Sequence, residues 1–162
     1  MSQPVENVIL WAIAQRSIRE RRYQEAIDAY DEILTKEELL QTLVLSQSAQ
    51  AYRLAGDYDK ARQLYDQLIS RHPDENRYLY ERANLLTKLG VYDSALTDYG
   101  HVLMTDPKNV NALISRGVLY REQGDYQAAL QDFNQVLKQN PDFSPVYCSR
   151  AEVYEALNQY SQ

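Results

Sequence analysis

The chain has 162 residues, 44% apolar and 25% charged, enough for a packed core and too ordinary a balance for a disordered or fibrous protein. With 23 acidic against 17 basic side chains the net charge is −6, so the broad positive field suited to nucleic acid or an anionic membrane is missing. One cysteine, Cys148, rules out an internal disulfide framework and a Cys-rich zinc site. No apolar run approaches the roughly 20 residues that span a bilayer, and the first residues lack the basic and apolar regions of a secretion leader. A soluble, cytoplasmic protein is expected.

Taken in chain order, the same residues return at a fixed spacing. Residues 7–41 show the register as Tyr23, Ala26, Tyr30 and Ile33, with Arg21-Arg22 in place of a turn glycine and one extra residue before the next copy. Residues 42–75 show Gly56, Tyr58, Ala61, Tyr65 and Pro73, and 34 positions later residues 76–109 show Gly90, Tyr92, Ala95, Tyr99 and Pro107. The same step leads to Gly124, Tyr126, Ala129, Phe133 and Pro141 in residues 110–143. Residues 144–162 carry only the first half, with Tyr160 falling in the column of Tyr126.

Each copy reads as two helices. In 110–143, Ala112, Leu113, Gly117 and Tyr120 recur at helical spacing up to Gly124; Ala129, Leu130, Phe133, Val136 and Leu137 repeat the pattern up to Asn140-Pro141. Glycine ends the first helix in a left-handed turn, and proline stops the second. Small residues recur in the first helix (Ala14, Ala49, Ala83, Gly117, Ala151) and in the second (Ala26, Ala61, Ala95, Ala129), allowing the two to pack closely. The columns of Tyr30, Tyr65 and Tyr99 and of Tyr58, Tyr92 and Tyr126 are expected to fill the core.

This pattern resembles the tetratricopeptide repeat (TPR) family over nearly the whole chain. The resemblance implies an all-α solenoid, a right-handed superhelix of helix-turn-helix repeats in one domain over 1–162, with about four and a half repeats. The intact register at the last residue suggests trimming of a longer protein. An open end covered by another copy, through Leu157 and Tyr160, is the alternative.

Catalytic signatures are missing. The sequence has no G-x-x-x-x-G-K-[ST], G-x-G-x-x-G or H-E-x-x-H, and His72 and His101 do not pair at a ligand spacing. Cys148, beside Tyr147, is expected to be a buried thiol. Glu37-Glu38 and Asp74-Glu75 read as solvated charge at helix ends. A non-enzymatic protein with no cofactor and no metal follows. The cluster Arg16, Arg19, Arg21 and Arg22 is interrupted by Glu20 and reads as a solvated helix end. Arg82, Arg116 and Arg150 are expected to pair with Asp98 and Asp132, with Arg116 facing either aspartate.

In the resembled family the first helices line a concave groove that holds a partner's peptide. That implies a groove here of Trp11, Gln15, Gln50, Arg53, Arg77, Tyr80, Asn84, Lys88, Ile114 and Arg121. Tyr80, Asn84 and Lys88 fall one above another at i, i+4 and i+8. The family's carboxylate clamp, which uses Lys and Asn, then Asn, then Lys plus Arg, is matched here by Trp11, Gln15, Gln47, Arg77 and Glu81. Only Arg77 fits, so the clamp is absent. The expected partner is another protein or a peptide segment, with no nucleic acid and no membrane insertion. A self-associating assembly module and a secretion-type TPR chaperone are the alternatives.

Overall fold

The structure is a computed structural model that describes residues 3–36 and 41–160. Nine helices and no strand occur among the described residues. They are α1 (Gln3–Arg19), α2 (Tyr23–Lys36), α3 (Gln41–Ala55), α4 (Tyr58–Arg71), α5 (Asn76–Lys88), α6 (Tyr92–Thr105), α7 (Val110–Glu122), α8 (Tyr126–Gln139) and α9 (Ser144–Tyr160). α1 to α8 form four pairs, a first helix followed by a second, and α9 has the pattern of a first helix.

Each pair turns on one left-handed residue. Gly56, Gly90 and Gly124 have φ of +87°, +74° and +80°. The next N–H then reaches back to close the helix end: Asp57 to the Tyr52 carbonyl at 3.0 Å, Val91 to Leu86 at 2.9 Å and Asp125 to Tyr120 at 2.9 Å. The first pair builds the same turn without glycine. Arg21 sits at φ +58° and the Arg22 N–H donates to Ser17 at 2.8 Å. A side chain in that conformation costs about 1–2 kcal/mol. The Arg22 guanidinium bridges Glu20 and Glu25 across the turn.

Pairs are packed by a small residue against a large one. Ala14, Ala49 and Ala83 are fully buried, as are Ala26, Ala61, Ala95 and Ala129, while Tyr30, Tyr65 and Tyr99 are buried as expected. In the fourth pair both partners change together. A Cβ on Gly117 would lie 2.7 Å from Cε1 of Phe133, so the close approach demands glycine there. The tyrosine hydroxyls also have assigned places: Gln15 Nε2 donates to the Tyr30 hydroxyl at 2.6 Å, and the Tyr99 hydroxyl donates to Asn84 Oδ1 at 2.7 Å. Where the fourth pair has Phe133, with no hydroxyl, it has Val118 in the column of Asn84.

The residues gather into two compact units, Met1–Tyr78 and Leu79–Gln162. Unit 1 has a core of Ala14, Ala26, Ile27, Tyr30, Ile33 and Val44, with Trp11, Ile18 and Tyr52 half-buried against it. Unit 2 buries Leu86, Tyr99, Leu113, Leu119, Phe133 and Val153. In unit 2 the pairs are also locked by buried aspartates. Arg82 donates to Asp98 from Nε at 2.8 Å and Nη2 at 2.7 Å, and Arg116 donates to Asp132 at the same two distances. Arg116 thus selects the aspartate of its own pair. Asp98 and Asp132 are each 3% exposed. Arg150 instead donates to Asn134 Oδ1 at 2.9 Å and stands over the Tyr147 ring.

Three expectations are corrected. Tyr92 is exposed and Tyr58 and Tyr126 are half-buried, because each begins a second helix at the rim of its pair. Cys148 is exposed, whereas Tyr80 and Ile114 of the same column are half-buried. Ala151, fully buried in the equivalent residues of other pairs, is exposed on α9. Glu37 and Glu38 lie outside the described residues, as does the side chain of Tyr160; Leu157 is half-buried.

Candidate functional site

The ten residues expected in the groove divide evenly between the units. In unit 1, Trp11 and Gln15 rise one turn apart on α1, Gln50 and Arg53 lie on α3, and Arg77 is exposed at the start of α5. Trp11 stands edge-on to Tyr30, with ring centroids 5.6 Å apart. Gln15, already bonded to Tyr30, also donates to Gln47 Oε1 at 3.3 Å and so ties α1 to α3. Gln50 is exposed. Arg53 is half-buried, and its Nε is sealed from solvent with no hydrogen-bond partner.

In unit 2, Tyr80, Asn84 and Lys88 follow one another along α5, and Ile114 and Arg121 lie on α7. The Tyr80 hydroxyl is 3.3 Å from Ser115 Oγ on α7, and its ring lies 6.0 Å from that of Tyr99. Asn84 is committed at Oδ1 to Tyr99, which leaves its N–H groups free to donate. Lys88 is exposed and Ile114 half-buried. Arg121 forms an ion pair with Glu152 of α9.

Two residues of this face were not anticipated. Cys148 is exposed and shares its column with Tyr80 and Ile114, at steps of 34 residues that were legible in the sequence. Glu152 occupies the column of Asn84 and Val118, and its contact with Arg121 needed the packing of α7 on α9 to be seen.

Burial raises the pKa of the Tyr30 and Tyr99 hydroxyls above the ordinary phenol value. Tyr52 is also raised, by burial first and then by its 2.7 Å bond to Asp31. These neutral phenols are structural donors and acceptors. Among the described residues no group of three or more His, Cys, Asp or Glu side chains could hold a metal. A cleft of about 380 Å³ in unit 1 lies between α2, α3 and α4, lined by Asp31, Lys60, Leu64 and Arg71, and includes none of the ten residues. The first-helix faces therefore offer amides, hydroxyls, cations and aromatic surface.

Paired helices with left-handed turns and small-on-large packing define an all-α solenoid of helix-turn-helix repeats. Two models of the tetratricopeptide repeat match residues 47–103 and 110–143, and the chain belongs to the tetratricopeptide repeat family. A tetratricopeptide repeat protein from Parabacteroides merdae superposes with a TM-score of 0.88 at 25% identity over 96% of this chain. This chain spans 62% of that protein's length. MamA of Desulfovibrio magneticus RS-1 superposes with a TM-score of 0.84 at 18% identity, covering 96% of this chain and 88% of that one. A further MamA structure gives 0.82 at 16% identity, covering 94% and 83%. No curated protein sequence matches this chain. The repeat is an interaction module, and a protein-interaction role follows from membership.

Proposed function

We propose that the chain is a non-catalytic scaffold whose first-helix faces hold a peptide segment of a partner protein. The carrying observation is the state of the face: Gln15 and Asn84 are fixed in place by core tyrosines while keeping, respectively, an acceptor and donors for a partner main chain. Trp11 and Tyr80 add rigid aromatic surface beside them, the side-chain type that carries much of the energy in interfaces. Unit 2's half-buried Arg82 and Arg116 take no part, being bonded to Asp98 and Asp132. No helix among the described residues is long and apolar enough to cross a membrane, which is consistent with action in the cytoplasm.

The test is a peptide-display selection on the purified chain, run beside a Trp11→Ala variant and a Tyr80→Ala/Lys88→Ala variant. Asn84 is left intact because its loss would strand the Tyr99 hydroxyl. Enrichment of a motif that either variant loses supports the face as the binding site; identical selection by all three proteins sinks it. A second reading is self-association through α9, favoured by Tyr147 and Tyr154, 43% and 47% exposed beside Ala151. Light scattering over a concentration series checks it, and a constant mass would remove it.

A further inference from the structure

The arginines of unit 1 differ in what they hold. Away from the first-helix face, Arg16 pairs with Glu20 at 2.8 Å, Arg22 with Glu20 and Glu25, and Arg62 with Asp59 at 3.8 Å. On the face, Arg53 of α3 has no carboxylate partner among the described residues, and its Nε has no acceptor at all. Arg19 of α1 is exposed, and its Nε makes one long contact, 3.4 Å, with the Gln15 carbonyl of its own helix. Around these two cations the face presents Trp11, Gln15, Ile18 and Gln50, with no acidic residue among them, in a chain of net charge −6. The equivalent columns of unit 2 hold Glu81, Glu122, Glu152 and Glu155 against Lys88 and Arg121, and Arg121 is already paired with Glu152.

We infer that the α1–α3 face of unit 1 takes an acidic internal segment of the partner, with side-chain carboxylates on Arg19 and Arg53 and an apolar residue against Trp11. This rests on the scaffold reading above and names the chemistry of its ligand. A guanidinium without a carboxylate keeps its two terminal nitrogens as an end-on fork, the buried Arg53 Nε taking no part, and a carboxylate fills that fork with charge-assisted bonds. The two forks belong to separate helices, which suits successive acidic side chains of one extended strand better than a single chain terminus. Gln15 keeps its side-chain oxygen for a main-chain N–H between them. Binding weakens as salt rises, because both cations are partly in water.

Trp11 is the only tryptophan, so its fluorescence reads the face directly. The probe is a short peptide alternating glutamate and leucine, blocked at both ends, compared with its lysine counterpart and with the same acidic peptide bearing a free terminal carboxylate. The acidic blocked peptide is expected to shift Trp11 emission saturably, and the lysine peptide is expected not to. Arg19→Glu/Arg53→Glu should weaken binding about tenfold or more, as loss of opposed charge pairs does. Arg53→Met, which keeps the packing stem, should weaken it less, and Arg62→Glu should leave it unchanged. Circular dichroism verifies that each variant is folded. Equal binding of the lysine peptide, undiminished binding by the double variant, no binding at all, or a requirement for the free carboxylate would each overturn the inference. A face-dependent display motif without acidic residues would leave the scaffold reading standing while this inference falls.

Discussion

The two units solve one problem by different means. Both must fix a first helix against a second. Unit 2 does so with bidentate Arg82–Asp98 and Arg116–Asp132 pairs, whereas the same columns of unit 1 hold Ile13 with Ala29 and Ser48 with Leu64. The Ser48 hydroxyl is fully buried with no partner. The shared skeleton of alanines, tyrosines and left-handed turns makes the pairs; charge is an added constraint on unit 2. Such buried pairs orient helices more than they stabilise them, since desolvation offsets the attraction.

The largest effect should come from breaking that constraint on one side. Arg116→Ala strands the Asp132 carboxylate, whose side chain is 4% exposed, and should cost about 3 kcal/mol in urea unfolding. Ser48→Ala, in the column of Arg82 and Arg116, should be neutral or slightly stabilising because it removes an unsatisfied hydroxyl. Equal losses from the two changes would erase the contrast between the units.

Gly117→Ala comes next, at about 2 kcal/mol, because the added methyl meets a rigid ring at 2.7 Å. Gly117→Ala/Phe133→Leu should recover much of that loss, and failure to recover would mean the strain lies in the backbone. Tyr99→Phe is smaller, about 1 kcal/mol, for one lost hydrogen bond to Asn84. The raised phenols carry a sign: Tyr52 and Tyr99 stay neutral in the folded chain where the unfolded chain has begun to ionise. Their contribution is complete below the ordinary phenol value of 10.0 and is lost as pH rises through the folded value. Tyr52→Phe should therefore flatten the fall in melting temperature above that pH, and an unchanged slope would show that Tyr52 does not drive it.

The smallest change should be a gain. Arg21→Gly relieves the left-handed side chain in unit 1, partly offset by a looser unfolded chain and the lost arginine, for about 0.5 kcal/mol net. A melting temperature that drops instead would mean that Arg21 makes a favourable contact of its own.

Much of this architecture was written in the period. Turn glycines, small-residue columns and the core tyrosines could be read directly, because each is a local demand repeated at a fixed step. Neighbour choice was harder. Spacing alone left Arg116 between Asp98 and Asp132, since the chain returns past both, and only the packed pair decides. Cys148 was misjudged from its neighbour Tyr147, whereas its column, shared with Tyr80 and Ile114, belongs to the first-helix face. Gln15 and Asn84 were legible as face residues. Their bonds to Tyr30 and Tyr99 were not, because a first-helix amide and a second-helix hydroxyl meet only once the helices close.

The trio Gly117, Val118 and Phe133 also constrains how this sequence can change. Restoring alanine at 117 alone drives a methyl into the Phe133 ring, and restoring tyrosine at 133 alone introduces a hydroxyl in a pair whose amide column holds Val118. Each single step toward the pattern of the other repeats thus passes through a less stable intermediate. A consensus design that averages the four pairs column by column would have to exchange all three positions at once, or leave this pair as a separate solution.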